Sequence, residues 1–151
     1  MNQKIQYHRR FVILLICLLA ACEQNSGSLR VEDAWARASA PESESAAVYL
    51  SLVNDTNEPQ IIRKFSTDIA TAIHLHETRV IDGVSRMQML EELVLEAGES
   101  IKLAPGGMHI MLMGLQKPLK QGEVFRLQIE TEREIREVTV TVVSINQISG
   151  P

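Results

Sequence analysis

Short segments of alternating apolar and polar residues, each closed by a turn-forming group, fill the chain from position 29 to position 143. Residues 46–53 (AAVYLSLV) end in Asn54-Asp55-Thr56-Asn57, a turn signal. Residues 71–77 (TAIHLHE) put Ile73 and Leu75 on one face and His74 and His76 on the other. That period of two belongs to a strand with one buried face. Ile81-Asp82-Gly83 reads as a hairpin turn into residues 84–90. Ala97-Gly98-Glu99 precedes 100–103, and Pro105-Gly106-Gly107 precedes 108–112. Residues 29–39 and 60–65 are further strand candidates, and 124–130 and 135–143 close the series. Residues 90–95 fit a strand or one turn of helix. No helical stripe competes, so the pattern predicts an all-β, antiparallel sandwich or barrel.

Residues 11–21 (FVILLICLLAA) form an apolar run of a different kind. It is too short for a comfortable span of about 20 residues, and Lys4, His8, Arg9 and Arg10 precede it, as in a secretory signal. The run ends in Leu19-Ala20-Ala21-Cys22, which resembles the bacterial lipobox. The expected organisation is a signal peptide over 1–21, a polar lipid-anchored tether over 22–28 starting at acylated Cys22, and one folded domain over 29–151. The rival readings are an ordinary signal peptide that ends near a cysteine and an uncleaved anchor helix.

Cleavage removes three of the 15 basic residues and none of the 19 acidic ones, taking the net charge from −4 to −7. An acidic chain lacks the basic face of a nucleic-acid binder, and 4% aromatics are too few for a base-stacking platform. Cys17 leaves with the signal and Cys22 carries lipid, so the domain has no thiol. That excludes Cys-x-x-Cys redox chemistry and cysteine zinc sites. No paired carboxylates at useful spacing and no activated nucleophile stand out, so the chain is read as a non-enzyme. The acidic run from Glu130 to Glu137 reads as a solvated hairpin end.

Histidine and methionine carry the remaining chemistry. Five of the six methionines (Met87, Met89, Met108, Met111, Met113) fall between positions 87 and 113, near His74, His76 and His109. Thioether with imidazole, and no thiolate, suits Cu(I) better than zinc or a hard cation. On a strand, His109, Met111 and Met113 share a face, and Met108, Ile110 and Leu112 point into the core. His76 is expected to end its strand just before a turn, with Met87 on the returning segment. Each residue singly has a bland reading as packing or surface. His74, Met89 and Met113 are left as possible assistants.

The spacing resembles that of the periplasmic copper chaperones called PCu(A)C. His76 is followed by ten residues and Met87, then by twenty-one residues and His109-Ile110-Met111, which matches every gap of that family's signature. Asp33-Ala34-Trp35-Ala36-Arg37-Ala38, His76-Glu77-Thr78, Leu103-Ala104-Pro105-Gly106-Gly107 and Met111-Leu112-Met113-Gly114-Leu115 match in kind, so the resemblance covers about 31–143. Met108 stands where the family commonly has tyrosine, Ser85 where it often has methionine, and Gln88-Met89 where it often has Arg-Pro. The resemblance implies a cupredoxin-like Greek-key sandwich that holds one Cu(I) per domain through His76, Met87, His109 and Met111; the chain is read as a monomer, though the sequence itself leaves the oligomeric state open. The resemblance also implies delivery to an acceptor outside the cytoplasm, among them cytochrome c oxidase and its assembly components. With the lipobox, it places the chain on the periplasmic side of a bacterial membrane. A copper buffer with the same ligands and a metal-free anchored interaction module are the alternatives.

Overall fold

The computed structural model describes residues 27–150. The signal, Cys17, Cys22 and all but the end of the tether lie outside the described residues. No helix forms among the described residues, and none is therefore long and apolar enough to cross a membrane.

Ten strands follow one another: β1 (Leu29–Arg37), β2 (Ser45–Asn54), β3 (Gln60–Ser66), β4 (Ala70–Ile81), β5 (Val84–Leu90), β6 (Leu93–Leu95), β7 (Ser100–Leu103), β8 (Met108–Leu115), β9 (Val124–Thr131) and β10 (Ile135–Val143). They hydrogen-bond in the order β5-β4-β8-β2-β1-β10-β9-β3-β6, with β7 on β2 beyond the end of β8. The path curls around a single main core, which brings β3 back against β4. Strict alternation builds that core. Val48, Leu50 and Leu52 of β2, Ile110 and Leu112 of β8, Phe125, Leu127 and Ile129 of β9, and Val140 and Val142 of β10 are buried in it, while their neighbours in sequence turn to the other face of the sheet, where Tyr49, His109 and Val143 are buried as well. Burial of about 25 cal/mol per Å² of apolar surface is what holds these faces together.

Long-range pairing decides one stretch that the sequence left open and the direction of one ladder that it read as antiparallel. The ambiguous stretch after Leu90 forms β6, which pairs with β3 through Ile62↔Leu93 and buries Leu93 and Leu95. Three residues are too few for periodicity to separate strand from helix, and the pairing decides it. The ladder between β1 and β10 is parallel, Trp35↔Thr141 to Arg37↔Val143, within an otherwise antiparallel set. These two strands come from opposite ends of the domain and share no hairpin, so nothing local forces them antiparallel.

β1 also carries a bulge. Its register against β2 shifts between Glu32 and Trp35, where Asp33 adopts a φ of 50°. The extra residue switches which positions face inward. Leu29 and Val31 face the main core before it, and Ala34, Ala36 and Ala38 after it. Trp35 is thereby turned to the other face of the sheet, where it packs with Tyr49 and Val143 in a separate cluster.

Candidate metal centre

The face of β4, β8 and β5 that turns away from the core carries the histidines and methionines. Ladder register fixes their neighbours. His76 of β4 stands directly opposite His109 of β8, and His74 stands opposite Met111. On the other side of β4, Met89 is opposite His76 and Met87 is opposite Thr78. The His76 and His109 rings meet edge to face with centroids 5.8 Å apart, and His74 stacks on His76 at 6.1 Å.

β4 does not end at His76, as the sequence suggested, but runs on to Ile81. The two-residue turn Asp82-Gly83 has positive φ at both positions, 52° and 76°. That is the twist of a type I′ hairpin, for which Asp-Gly is a preferred pair. The turn sets the register so that Met87 is a diagonal neighbour of His76. Long side chains bridge a diagonal, and His76 Nδ1 lies 3.1 Å from Met87 Sδ.

His109 is the buried member, only 6% exposed. Its Nδ1 donates to the carbonyl of Gly107 at 3.0 Å. That bond fixes the ring and its tautomer and leaves Nε2 as the lone-pair nitrogen, the usual way a ligating histidine is oriented. Gly106, with a φ of 82°, turns the chain so that this carbonyl comes beneath the ring. The sequence marked Pro105-Gly106-Gly107 as a break whose loop can place His109 beside the other donors, and the bond by which Gly107 orients the ring became visible with the fold. Tyr49 lies on the inner flank of His109 with centroids 6.4 Å apart, and Trp35 packs on Tyr49 at 4.5 Å. Burial raises the Tyr49 pKa, and Arg37 beside its ring partly offsets that rise.

Met111 is half-covered on the same face, between His74 on β4 and Ala47 on β2. Met113 is exposed one step further, opposite Ala72 and Ser45. The fold therefore joins His76, Met87 and His109 by direct neighbour contacts and sets Met111 on their face two residues along β8. Glu77 turns to the opposite face, where it pairs with Arg79 at 2.8 Å. Among the described residues, no three His, Cys, Asp or Glu side chains are grouped to hold a metal. The His76–His109 pair has thioethers, rather than carboxylates, as its neighbouring donors.

Partial burial, and then the neighbouring His109 and His74, lower the pKa of His76 below the ordinary histidine value. The shift favours the neutral form that a metal requires. The centre opens to solvent through Met87 and Met89, which are 58% and 54% exposed. The acidic hairpin between β9 and β10 is remote from it in the ladder order and is engaged in ion pairs, Glu132 with Arg63 and Glu134 with Arg136.

The all-β fold is that of PCuAC domains. The apo PmoF2 PCuAC domain superposes with a TM-score of 0.69 at 18% identity, over 82% of this chain and 95% of that one. The solution structure of CuI-DR1885 from Deinococcus radiodurans superposes with a TM-score of 0.65 at 27% identity, over 85% of each chain. The family model described as "Putative lipoprotein LpqE-like" matches residues 29–144, and the chain belongs to that LpqE-like family. Similar curated proteins are "Putative lipoprotein Lxx21020" of Leifsonia xyli subsp. xyli, 33% identical over 101 residues, and "Uncharacterized protein RP573" of Rickettsia prowazekii, 29% identical over 84 residues. The first match spans 66% of this chain and 60% of the relative, and the second 55% and 46%.

Proposed function

We propose that this protein is an extracytoplasmic, lipid-anchored Cu(I) carrier that hands its ion to an acceptor protein. In this reading residues 1–21 are the signal, Cys22 the acylated residue, 22–28 the tether and 29–151 the copper-binding domain. One Cu(I) is held by His76, Met87, His109 and Met111. The observation that carries the reading is the convergence of His76 Nδ1 and Met87 Sδ to 3.1 Å, with His109 directly opposite His76. The naming of a relative as a lipoprotein and the solution of DR1885 in a Cu(I) form support it.

The ligand types set the mechanism. Two imidazoles and two thioethers are neutral, so the ion keeps its +1 charge, which is costly to bury fully. Met87 at an exposed sheet edge avoids much of that cost. Thioethers favour Cu(I) by softness and need no deprotonation. Release proceeds by stepwise exchange: an acceptor donor enters at the open edge as one thioether leaves. The copper centre of cytochrome c oxidase is the acceptor that the family resemblance proposes. A buffer would bind equally well and differs only in lacking transfer.

An anaerobic Cu(I) titration against a chromogenic chelator tests the reading, with His109→Ala and Met87→Ala in parallel. One tight equivalent, weakened in both variants, is expected. Binding indifferent to both variants would discard the site.

A further inference from the structure

Among the described residues the sheet ends at β5, and no strand covers that edge. Edge strands are ordinarily blunted by shortness, proline, bulges or several charges, because their unpaired N–H and C=O groups invite another strand. The opposite end of the path, β6, has only three residues. β5 has seven, in unbroken register with β4 from Val84 to Leu90, with no proline and with Arg86 as its only charge. Every residue but Leu90 is exposed.

The type I′ turn determines which backbone groups are free. In such a hairpin the pair flanking the turn, Ile81↔Val84, exchanges both hydrogen bonds, and alternate pairs do so thereafter. Arg79↔Arg86 and Glu77↔Gln88 are therefore bonded pairs. Ser85, Met87 and Met89 turn their own N–H and C=O to the open side. The same alternation sends the Thr78 N–H of β4 away from β5, and there it donates to the Gly107 carbonyl at 3.2 Å.

The side chains specify what fits. Ser85, Met87 and Met89 share the face of His76, and Arg86 and Gln88 share the other. On that other face Arg86 stands directly opposite Arg79, a like-charge pair that is unfavourable unless compensated. Arg79 is paired with Glu77, but among the described residues no carboxylate lies within ion-pairing distance of Arg86. A strand added to β5 would place one residue beside Met87 on the site face and its sequence neighbour beside Arg86 on the other.

We propose that β5 is a docking edge for an extended segment of a partner protein in which an acidic residue adjoins a methionine or histidine. The segment joins the sheet through the free backbone groups of Ser85, Met87 and Met89. Its carboxylate compensates Arg86, and its soft donor arrives beside Met87. The docking half stands without copper, whereas the role of the soft donor rests on the proposed Cu(I) site. In that role one copper–thioether bond to Met87 breaks as one bond to the incoming donor forms. Copper stays Cu(I), and no proton or electron moves.

The probe is a capped peptide of alternating threonine and valine, about eight residues long to match an ordinary strand, with a central Glu-Met pair. Its binding to the purified apo chain is read by fluorescence anisotropy. Saturable binding is expected. Ser85→Pro removes an edge N–H without touching a β4–β5 bond and should weaken binding about tenfold or more. Circular dichroism and Cu(I) affinity should stay unchanged. Arg86→Glu should weaken the Glu-Met peptide and favour a Lys-Met peptide instead. Absence of saturation at millimolar peptide, or binding indifferent to both variants, overturns the docking edge. With the Cu(I)-loaded chain, the Glu-Met peptide should speed copper transfer to the chelator more than the same peptide with norleucine for methionine. Equal rates overturn the soft-donor role while leaving docking intact. Failure of the chain to bind Cu(I) at all would instead be the failure of the copper reading, seen in the separate titration.

Discussion

His76 and Met87 touch through Nδ1 and Sδ at 3.1 Å although they are not cross-strand partners. The partner of His76 is Met89, which shares its face and is as exposed as Met87. Two thioethers thus compete for one imidazole, and the contact favours the diagonal one. Met87→Ala is expected to weaken Cu(I) binding by at least about tenfold, and Met89→Ala by less than about threefold. Both residues are exposed, so thermal unfolding should move by no more than about 0.5 kcal/mol in either variant. Chelator competition and a melting curve on the same samples separate ligand loss from misfolding. An equal loss in the two variants would mean that the thioethers exchange at the ion.

His109 is expected to behave differently, because it is buried and holds the Gly107 carbonyl. His109→Ala opens a gap beside Tyr49 and leaves the Gly107 carbonyl with the Thr78 N–H as its remaining donor, costing about 1–3 kcal/mol, most of it from the lost packing. His76→Ala, on a half-covered ring, should cost less stability yet remove as much copper affinity. Denaturant unfolding of the two variants, each beside its Cu(I) titration, tests this difference.

Much of this was legible in the sequence. Alternation located nine strands, and the spacing from His76 to Met111 singled out the four candidate ligands. What was not legible depended on register. The turn at Asp82-Gly83 was legible in the sequence, but the extension of β4 to Ile81 was not, and the register across that turn decides whether Met87 or Met89 stands opposite His76. The parallel β1–β10 ladder and the bulge at Asp33 are likewise long-range outcomes. The bulge turns Trp35 onto the site side of the sheet, an effect that periodicity around position 35 obscures because alternation fails there.

The lowered pKa of His76 sets a pH dependence. Below about pH 6.5 the unfolded chain takes up a proton at this residue that the folded chain resists. Stability from this group is therefore full above that pH, falls as the pH drops through it, and levels off below the folded pKa. At His76 itself, protons therefore compete with copper only at a lower pH than they would at a free imidazole. His74→Ala removes a neighbouring positive charge that contributes to the shift and should move the His76 pKa upward. Imidazole proton NMR titration of wild type and His74→Ala measures this directly. An unchanged or lower His76 pKa in the variant would show that the His74 charge is screened.

The hairpin turn offers a way to disturb the centre without touching a donor. Gly83 sits at a φ of 76°, and no atom crowds the place a side chain would take. The obstacle to substitution there is conformational, and a β-branched residue suffers it most. Gly83→Val should strain the turn by about 1–3 kcal/mol. The strain is relieved most readily by loosening β5, whose residues are almost all exposed and contribute little to the core. Cu(I) affinity should therefore fall several-fold through misplacement of Met87. The global melt should change far less than after Ile110→Ala, which removes a fully buried side chain and costs about 2–5 kcal/mol. Amide hydrogen exchange supplies the local reading: in Gly83→Val, faster exchange should be confined to β5 and the end of β4. Ile110→Ala should accelerate exchange across β8 and its neighbours as well. Loss of copper affinity without local loosening of β5 would place the control of the site elsewhere than in the register of this hairpin.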